Sequence, residues 1–314
     1  MRKVNTVKAN SRAFTMIELI FVIVIMGILS KFGVEFLAQA YNSFIFSKIN
    51  NTLQTNSASA VETIASRLQF RIKDSVIARK ANDNNFATNF RAIGSATGTA
   101  TDNDYNILEW VGYDIDGFRG NTTPSWSGII DLNTSISSTT LLKTPGTNTN
   151  LVNSIISALS NSGSDINDSA IYFVGSDSDV QTGYGWNGCT LNDQNGSVMH
   201  PIKSTANPDE FASGNADDFN QTDVYEYYQL AWTAYAVGIS DYDDASATGT
   251  LKLYYDYQPW NGEKYTDANT KSITIMENVS TFQFMSIGSI LKIQVCVNSK
   301  VVEDYSLCKE KTIY

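Results

Sequence analysis

With 314 residues, the chain is long enough to bury a substantial core in one or two domains. Aromatic residues at 11% exclude a largely disordered chain, and abundant Asn, Ser, Thr, Asp and Gly with only 5 prolines is the composition of turn-rich β structure. The formal charge is −10. Without the basic residues 1–13 the acidic excess rises to about −14, a surface that repels phosphate backbones, so no nucleic-acid partner is expected.

Residues 1–13 hold Arg2, Lys3, Lys8 and Arg12 and no acid, and an apolar run from Phe14 to Ser30 follows at once. A secretory signal would close its apolar core with a small-residue cleavage site. Here the small residue, Ala13, precedes the core instead. By hydropathy alone the run is a short membrane span, extended by "FGVEFLAQAY" past Lys31. The positive-inside rule keeps the basic leader in the cytoplasm and puts the rest of the chain outside. A plain signal anchor satisfies all of this except Glu18, because a charged side chain inside a spanning helix costs about 2.5–3.5 kcal/mol on insertion scales.

Ala13-Phe14-Thr15-Met16-Ile17-Glu18, set between a basic leader and an uninterrupted apolar run, resembles the processing motif of type IV pilins and type II secretion pseudopilins. Gly27 in "IVIMGILS" matches the same pattern. The resemblance implies that a prepilin peptidase cuts between Ala13 and Phe14 and methylates the new Phe14 amine. It also implies that Glu18, fifth in the mature chain, pairs with the amine of a neighbouring subunit during assembly. Such a pair is tolerable in a membrane only while both members are present, since breaking a buried pair costs about 3–5 kcal/mol. Two departures matter. Ala13 stands where the family usually has Gly, and Glu35 stands where major pilins often carry a Pro, which argues against a filament-building major subunit.

Beyond the apolar run, Tyr41, Ile45, Ile49 and Leu53, then Val61, Ile64, Leu68, Ile72 and Val76, recur at spacings of three and four. This predicts one long helix over 14–80, with about 14–38 as the transmembrane and assembly segment. "TNSASA" (55–60) would be a slack turn or a bend within it. Arg67, Arg71 and Lys73 read as a solvated basic face. Residues 80–106 are polar and Gly-dotted and read as a long loop. "NILEWVGYDIDGF", "SGIIDL" and "SAIYFVG" read as strands between turns, and "TNLVNSIISALSN" as a helix capped by Asn148 or Thr149. Four late runs read as strands: "VYEYYQLAWTAYAVGIS", "TLKLYYDYQPW", "SITIMENVSTFQF" and "SILKIQVCVN", with "SIGS" turning between the last two. Residues 81–314 are therefore expected to form one α+β extracytoplasmic domain, an antiparallel sheet packed on the outer half of the helix in a pilin-like arrangement.

Three cysteines, Cys189, Cys296 and Cys308, suit an exported chain in which one pair is oxidised. The resemblance to pilins, which often close their C-terminal region with a disulfide, implies a Cys296–Cys308 bridge and leaves Cys189 over; Cys189 with Cys296 is the competing pairing. His200 is the only histidine, which excludes multi-histidine metal cages. A Cys189/His200 dyad is weaker than a surface loop histidine. No nucleophile elbow or phosphate-binding loop occurs, so no enzyme activity is expected. Asp114 and Asp116 in "YDIDGFRGN", and Asp241, Asp243 and Asp244 in "SDYDDASATG", faintly resemble calcium loops, with solvated turns the plainer reading. "DLNTS", "DINDS" and "DFNQT" fit the acidic acceptor pattern of bacterial N-glycosylation, in a chain where Asn and Ser are common.

The size of the outer part, with "VETIASRLQFRIKDSVIARK" and "ENVSTFQFMSIGSILKIQVCV", is similar to that of the J-type pseudopilins and W-type minor pilins. That implies a structural subunit at the tip that helps initiate assembly, anchored in the bacterial inner membrane. Its partners would be other pilin or pseudopilin subunits, the prepilin peptidase and the inner-membrane assembly platform. The alternatives are a tip adhesin on the same anchor, with the unplaced residues 81–222 as the ligand-binding part, or a signal-anchored enzyme.

Overall fold

The structure is a computed structural model that describes residues 15–95, 105–133, 137–176, 179–300 and 305–314. It is an α+β protein: a long N-terminal helix followed by antiparallel sheet. The described chain divides between residues 52 and 53 into two units.

Helix α1 runs Met16–Leu68 without interruption. No proline falls inside it, and the "TNSASA" stretch stays helical. Ser57 and Ala60 are buried there, small side chains that let the helix approach the sheet closely. In the second unit, Ala60, Val61, Ile64, Ala65 and Leu68 form the helical half of one core. Ile64 and Leu68 are both fully inaccessible, which contributes about 1.5–3 kcal/mol each relative to exposure.

The helix ends at Leu68, well before the Arg79–Lys80 boundary that the apolar spacing predicts. The last turn tightens, with Phe70 N–H bonding Arg67 O at 3.2 Å and Arg71 N–H bonding Leu68 O at 3.3 Å. Arg71, expected on a solvated face, is instead 4% exposed. Its guanidinium donates to Leu68 O and to Ser289 O, each at 2.7 Å, so it caps the helix and ties it to a distant turn. Ile72 and Val76 keep the spacing because they too are buried, but in non-helical chain.

The eight-stranded sheet begins with β1 (Ile77–Lys80), β2 (Phe90–Ala92) and β3 (Tyr105–Gly112). It continues after a long excursion with β9 (Thr233–Asp243), β10 (Thr248–Tyr255), β11 (Lys271–Ile287), β12 (Ile290–Asn298) and β13 (Ser306–Ile313). The spatial order is β13-β12-β11-β10-β9-β3-β1-β2, antiparallel throughout. β2 lies in the stretch expected to be loop. Gly288, at φ +59°, makes the β11–β12 turn, a conformation that favours glycine.

The excursion from Tyr113 to Trp232 builds a second layer. It contains α2 (Ile115–Arg119), β4 (Leu141–Lys143), α3 (Thr149–Leu159), β5 (Ala170–Phe173), β6 (Met199–Ser204), β7 (Glu210–Ser213) and β8 (Tyr228–Ala231). The strands form a five-stranded sheet, β4-β7-β6-β5-β8. Asn148 caps α3, accepting from Asn150 N and Leu151 N. "SGIIDL" forms only a bridge from Ile129 to Tyr227. The run "VYEYYQLAWTAYAVGIS", which reads as one strand, is two strands in two sheets, because the chain crosses between layers at Trp232. Gly112 and Thr233 are paired neighbours, so the whole insertion leaves and re-enters the main sheet at one rung.

Alternation along β5 explains the layering. Ala170 and Tyr172 face a core shared with Ile72, Ile77, Ile107 and Val111 of the main sheet region. Ile171 and Phe173 face the opposite core, against Val152 and Ile156 of α3. The second unit is thus four layers: the end of α1, eight strands, five strands, and α3.

A buried ion pair fastens the middle of this stack. Arg79 and Glu109 are each 1% exposed, with Arg79 Nε donating to Glu109 Oε1 at 2.5 Å. Arg79 also donates to Asn89 Oδ1 and to Trp186 O, and its guanidinium lies 4.4 Å from the Phe86 ring centroid. Glu109→Ala leaves a buried unpaired cation and is expected to cost about 3–5 kcal/mol. The readout is the thermal midpoint of the full chain in detergent, and Arg79→Met combined with Glu109→Leu is expected to recover most of the loss.

Candidate functional site: the helix start and its surroundings

Ala13 and Phe14, the expected processing residues, lie outside the described residues. Thr15 and Glu18 open α1. Thr15 N–H and Thr15 Oγ1–H donate to Glu18 Oε2 at 3.4 and 3.3 Å, and Glu18 N–H donates back to Thr15 Oγ1 at 3.4 Å. This Thr-x-x-Glu reciprocity is a capping box, which satisfies donors that the first helical turn leaves open. The signal for it lies in the sequence, in the Thr-x-x-Glu spacing of Thr15-Met16-Ile17-Glu18. Glu18 therefore has a local partner within its own chain.

From Met16 through Phe44 the large apolar side chains are exposed, among them Met16 (83%), Phe21, Phe32 and Phe36. The helix is long and apolar enough to cross a membrane, and Glu18 is the only acid before Glu35. Among the described residues, a Cβ added at Gly27 or Gly33 would meet nothing within 4 Å.

The other expected sites resolve as follows. Cys296 and Cys308 face each other across β12 and β13 and are joined as a disulfide. By the loop-entropy argument, a closure of 12 residues contributes about 3 kcal/mol. Cys189 is free and exposed. His200 is not a surface histidine. It lies in β6 at 3% exposure, its Nδ1 3.1 Å from Gln194 Oε1 and its ring against Phe173. It makes no contact with Cys189 among the described residues.

Among the described residues no three His, Cys, Asp or Glu side chains cluster in a way that holds a metal. Asp114 is buried and caps α2, accepting from Gly117 N at 3.0 Å, while Asp116 is exposed. Asp241 pairs with Lys252 at 2.8 Å, and Asp243 accepts from Ala245 N, Ser246 N and Ser246 Oγ. These carboxylates are engaged in turns, and Asp244 is exposed beside them.

A family model described as the prokaryotic N-terminal methylation motif matches residues 8–30. No curated protein and no solved structure matches the chain. The motif supports a subunit of the pilin or pseudopilin type, whose general partners are other such subunits and the prepilin peptidase. The apolar helix is consistent with a single-pass membrane anchor.

Two buried groups give the second unit a defined pH response. Burial lowers His200 to about 4, so acidification from pH 6.5 to 4 protonates the unfolded chain first and removes up to about 3 kcal/mol of stability. Burial raises Asp114 to about 6, opposed by the Gly117 amide. Its sign is opposite: the folded state takes up the proton first, and stability falls as pH rises from 4 to 6. The two contributions offset each other. Asp114→Asn should expose the His200 effect as a loss of stability on acidification below pH 6, followed by denaturant unfolding of the full chain. His200→Asn should reverse the slope.

Proposed function

We propose that this chain is a minor pilin or pseudopilin, a non-enzymatic structural subunit cut between Ala13 and Phe14 and assembled through α1. The observation that carries the reading is the methylation motif at residues 8–30 leading into a helix whose apolar side chains are uncovered and whose first turn holds a single acid, Glu18. In the membrane those side chains face lipid; in a filament they face parallel copies of related helices. Glu18 then exchanges its capping contact with Thr15 for the methylated amine of a neighbouring subunit, which sets the register. The large outer domain and the absence of proline at position 35 favour a minor subunit of the J-type or W-type kind, placed at the tip where assembly starts. Residues after Lys31 lie outside the cytoplasm, and the inner-membrane assembly platform receives the helix. A structural role is supported by the burial of His200 beneath Phe173, which withdraws the chain's single histidine from solvent.

The test is intact mass and N-terminal sequencing of the chain from membranes with and without prepilin peptidase. The expected mature terminus is N-methylated Phe14. Glu18→Ala should be processed normally yet depleted from sheared filaments by about 100-fold, the equivalent of losing about 3 kcal/mol of a buried pair. A Met1 terminus would instead leave a plain signal anchor.

A second reading, ligand binding by the insertion, is favoured by one patch. Ile129, Val174, Tyr225 and Tyr227 are all exposed at one side of the five-stranded sheet, with Ile129 bridging Tyr227 and Val174 N–H bonding Tyr227 O. Deleting residues 81–222 cannot test this reading, since it removes β3 and half of a buried core. Tyr225→Ser combined with Tyr227→Ser spares the core. Under this reading the double variant assembles filaments normally and loses surface attachment several-fold.

A further inference from the structure

Three acidic Asn-x-Ser/Thr stretches lie wholly within the described residues, and two of them share an unusual feature. Asn167 is preceded at two positions by Asp165 and followed at two by Ser169; Asn220 stands likewise between Asp218 and Thr222. Both asparagines are exposed. Asn167 uses only its amide oxygen, accepting from Ser204 N at 3.1 Å and Ser204 Oγ at 3.2 Å. The hydroxyls that complete the two stretches are the reverse: Ser169 Oγ and Thr222 Oγ1 are buried with no hydrogen-bond partner.

A buried hydroxyl without a partner destabilises a fold. Alanine at 169 or valine at 222 would fill the same space without that cost, so the folded state gives no reason for either hydroxyl. A reason exists before folding. An asparagine with Ser or Thr two positions later is the acceptor pattern of N-glycosylation, in which the hydroxyl is read by the transferring enzyme. The carboxylates two positions earlier are also engaged once the chain folds: Asp165 accepts from Asn167 N at 2.6 Å and Asp218 from Asn220 N at 2.9 Å.

We propose that Asn167 and Asn220 are N-glycosylated outside the cytoplasm as the chain emerges, before folding buries the hydroxyls of Ser169 and Thr222. The donor class is an oligosaccharide on a lipid pyrophosphate. Asn Nδ2 attacks the anomeric carbon, the new C–N bond replaces the C–O bond to phosphate, the lipid pyrophosphate leaves with that electron pair, and the amide proton passes to a base of the enzyme. The product amide keeps Asn167 Oδ1 as an acceptor for Ser204, and both sugars project into solvent. The same spacing at Asp193, Asn195 and Ser197 carries no such argument, because Ser197 Oγ donates to Asp193 O at 2.6 Å and has a role in the fold. The stretch at Asn133 extends outside the described residues.

The inference rests on the outward orientation of the domain, so the experiment reads that separately. The full chain is produced in bacteria that carry an oligosaccharyltransferase with its lipid-linked donor and a control acceptor protein, and tryptic peptides are weighed. The expected result is one glycan mass on each of the Asn167 and Asn220 peptides, with Cys296 and Cys308 oxidised. Ser169→Ala and Thr222→Val are each expected to abolish the glycan at their own site, at least 10-fold in occupancy, with a thermal midpoint equal to or above that of the parent. Purified, folded, unglycosylated chain offered to the enzyme should be modified at least 10-fold less than the same chain during export. Oxidised cysteines without glycan, in cells where the control acceptor is modified, overturn the glycosylation alone. Reduced cysteines without glycan overturn the orientation and the glycosylation together. A fall in thermal midpoint for both hydroxyl variants would also overturn it, by giving the hydroxyls a structural role.

Discussion

The second unit depends on the Arg79–Glu109 pair. Arg79 comes from β1 and Glu109 from β3, neighbouring strands with their side chains on the face away from α1. From there the guanidinium reaches Asn89 Oδ1 and Trp186 O, while Tyr257 Oη stands 3.5 Å from Glu109 Oε2. Burial pushes the Glu109 carboxyl upward and the Arg79 guanidinium pulls it back down. An isolated charge at this depth would be untenable, so each group holds its partner and the segment bearing Trp186 in place. The pair converts a stack of apolar surfaces, which could slide, into one with a fixed register.

The first unit presents the opposite situation. From Met16 to Phe44 its large apolar side chains are exposed, and its helix start is held by the capping box at Thr15 and Glu18. Such a helix is stable only with a lipid or protein environment around it. The capping contact keeps the Glu18 carboxylate at the helix start, where the positive end of the helix dipole favours it. The carboxylate is thereby held in position by its own chain, at the end of the helix that favours negative charge.

The insertion shows how one antiparallel sheet can carry a much larger domain. Because Gly112 and Thr233 share a rung, residues 113–232 are added at the site of what would otherwise be a hairpin turn. The added sheet is nevertheless integral to the stack. One of its faces completes a core with the main sheet, and the other packs on α3, with Tyr225 and Tyr227 exposed nearby.

Local chemistry alone determines the methylation motif, the apolar helix, a capped helix start at Asn148 or Thr149, and the late strands with their alternating pattern. It determined the class of the fold, because period and turn chemistry are written in neighbouring residues. The Cys296–Cys308 bridge was legible only through the family resemblance, with Cys189 still a competing partner until β13 was seen opposite β12. Tertiary structure decided where α1 ends, since Ile72 and Val76 keep a helical spacing while buried outside the helix. It decided that Arg71 and His200 are interior, because burial depends on what packs above a residue rather than on its neighbours in sequence. It also split "VYEYYQLAWTAYAVGIS" between two sheets at Trp232, an outcome no local pattern contains, because both halves alternate alike and only the layers they join are different.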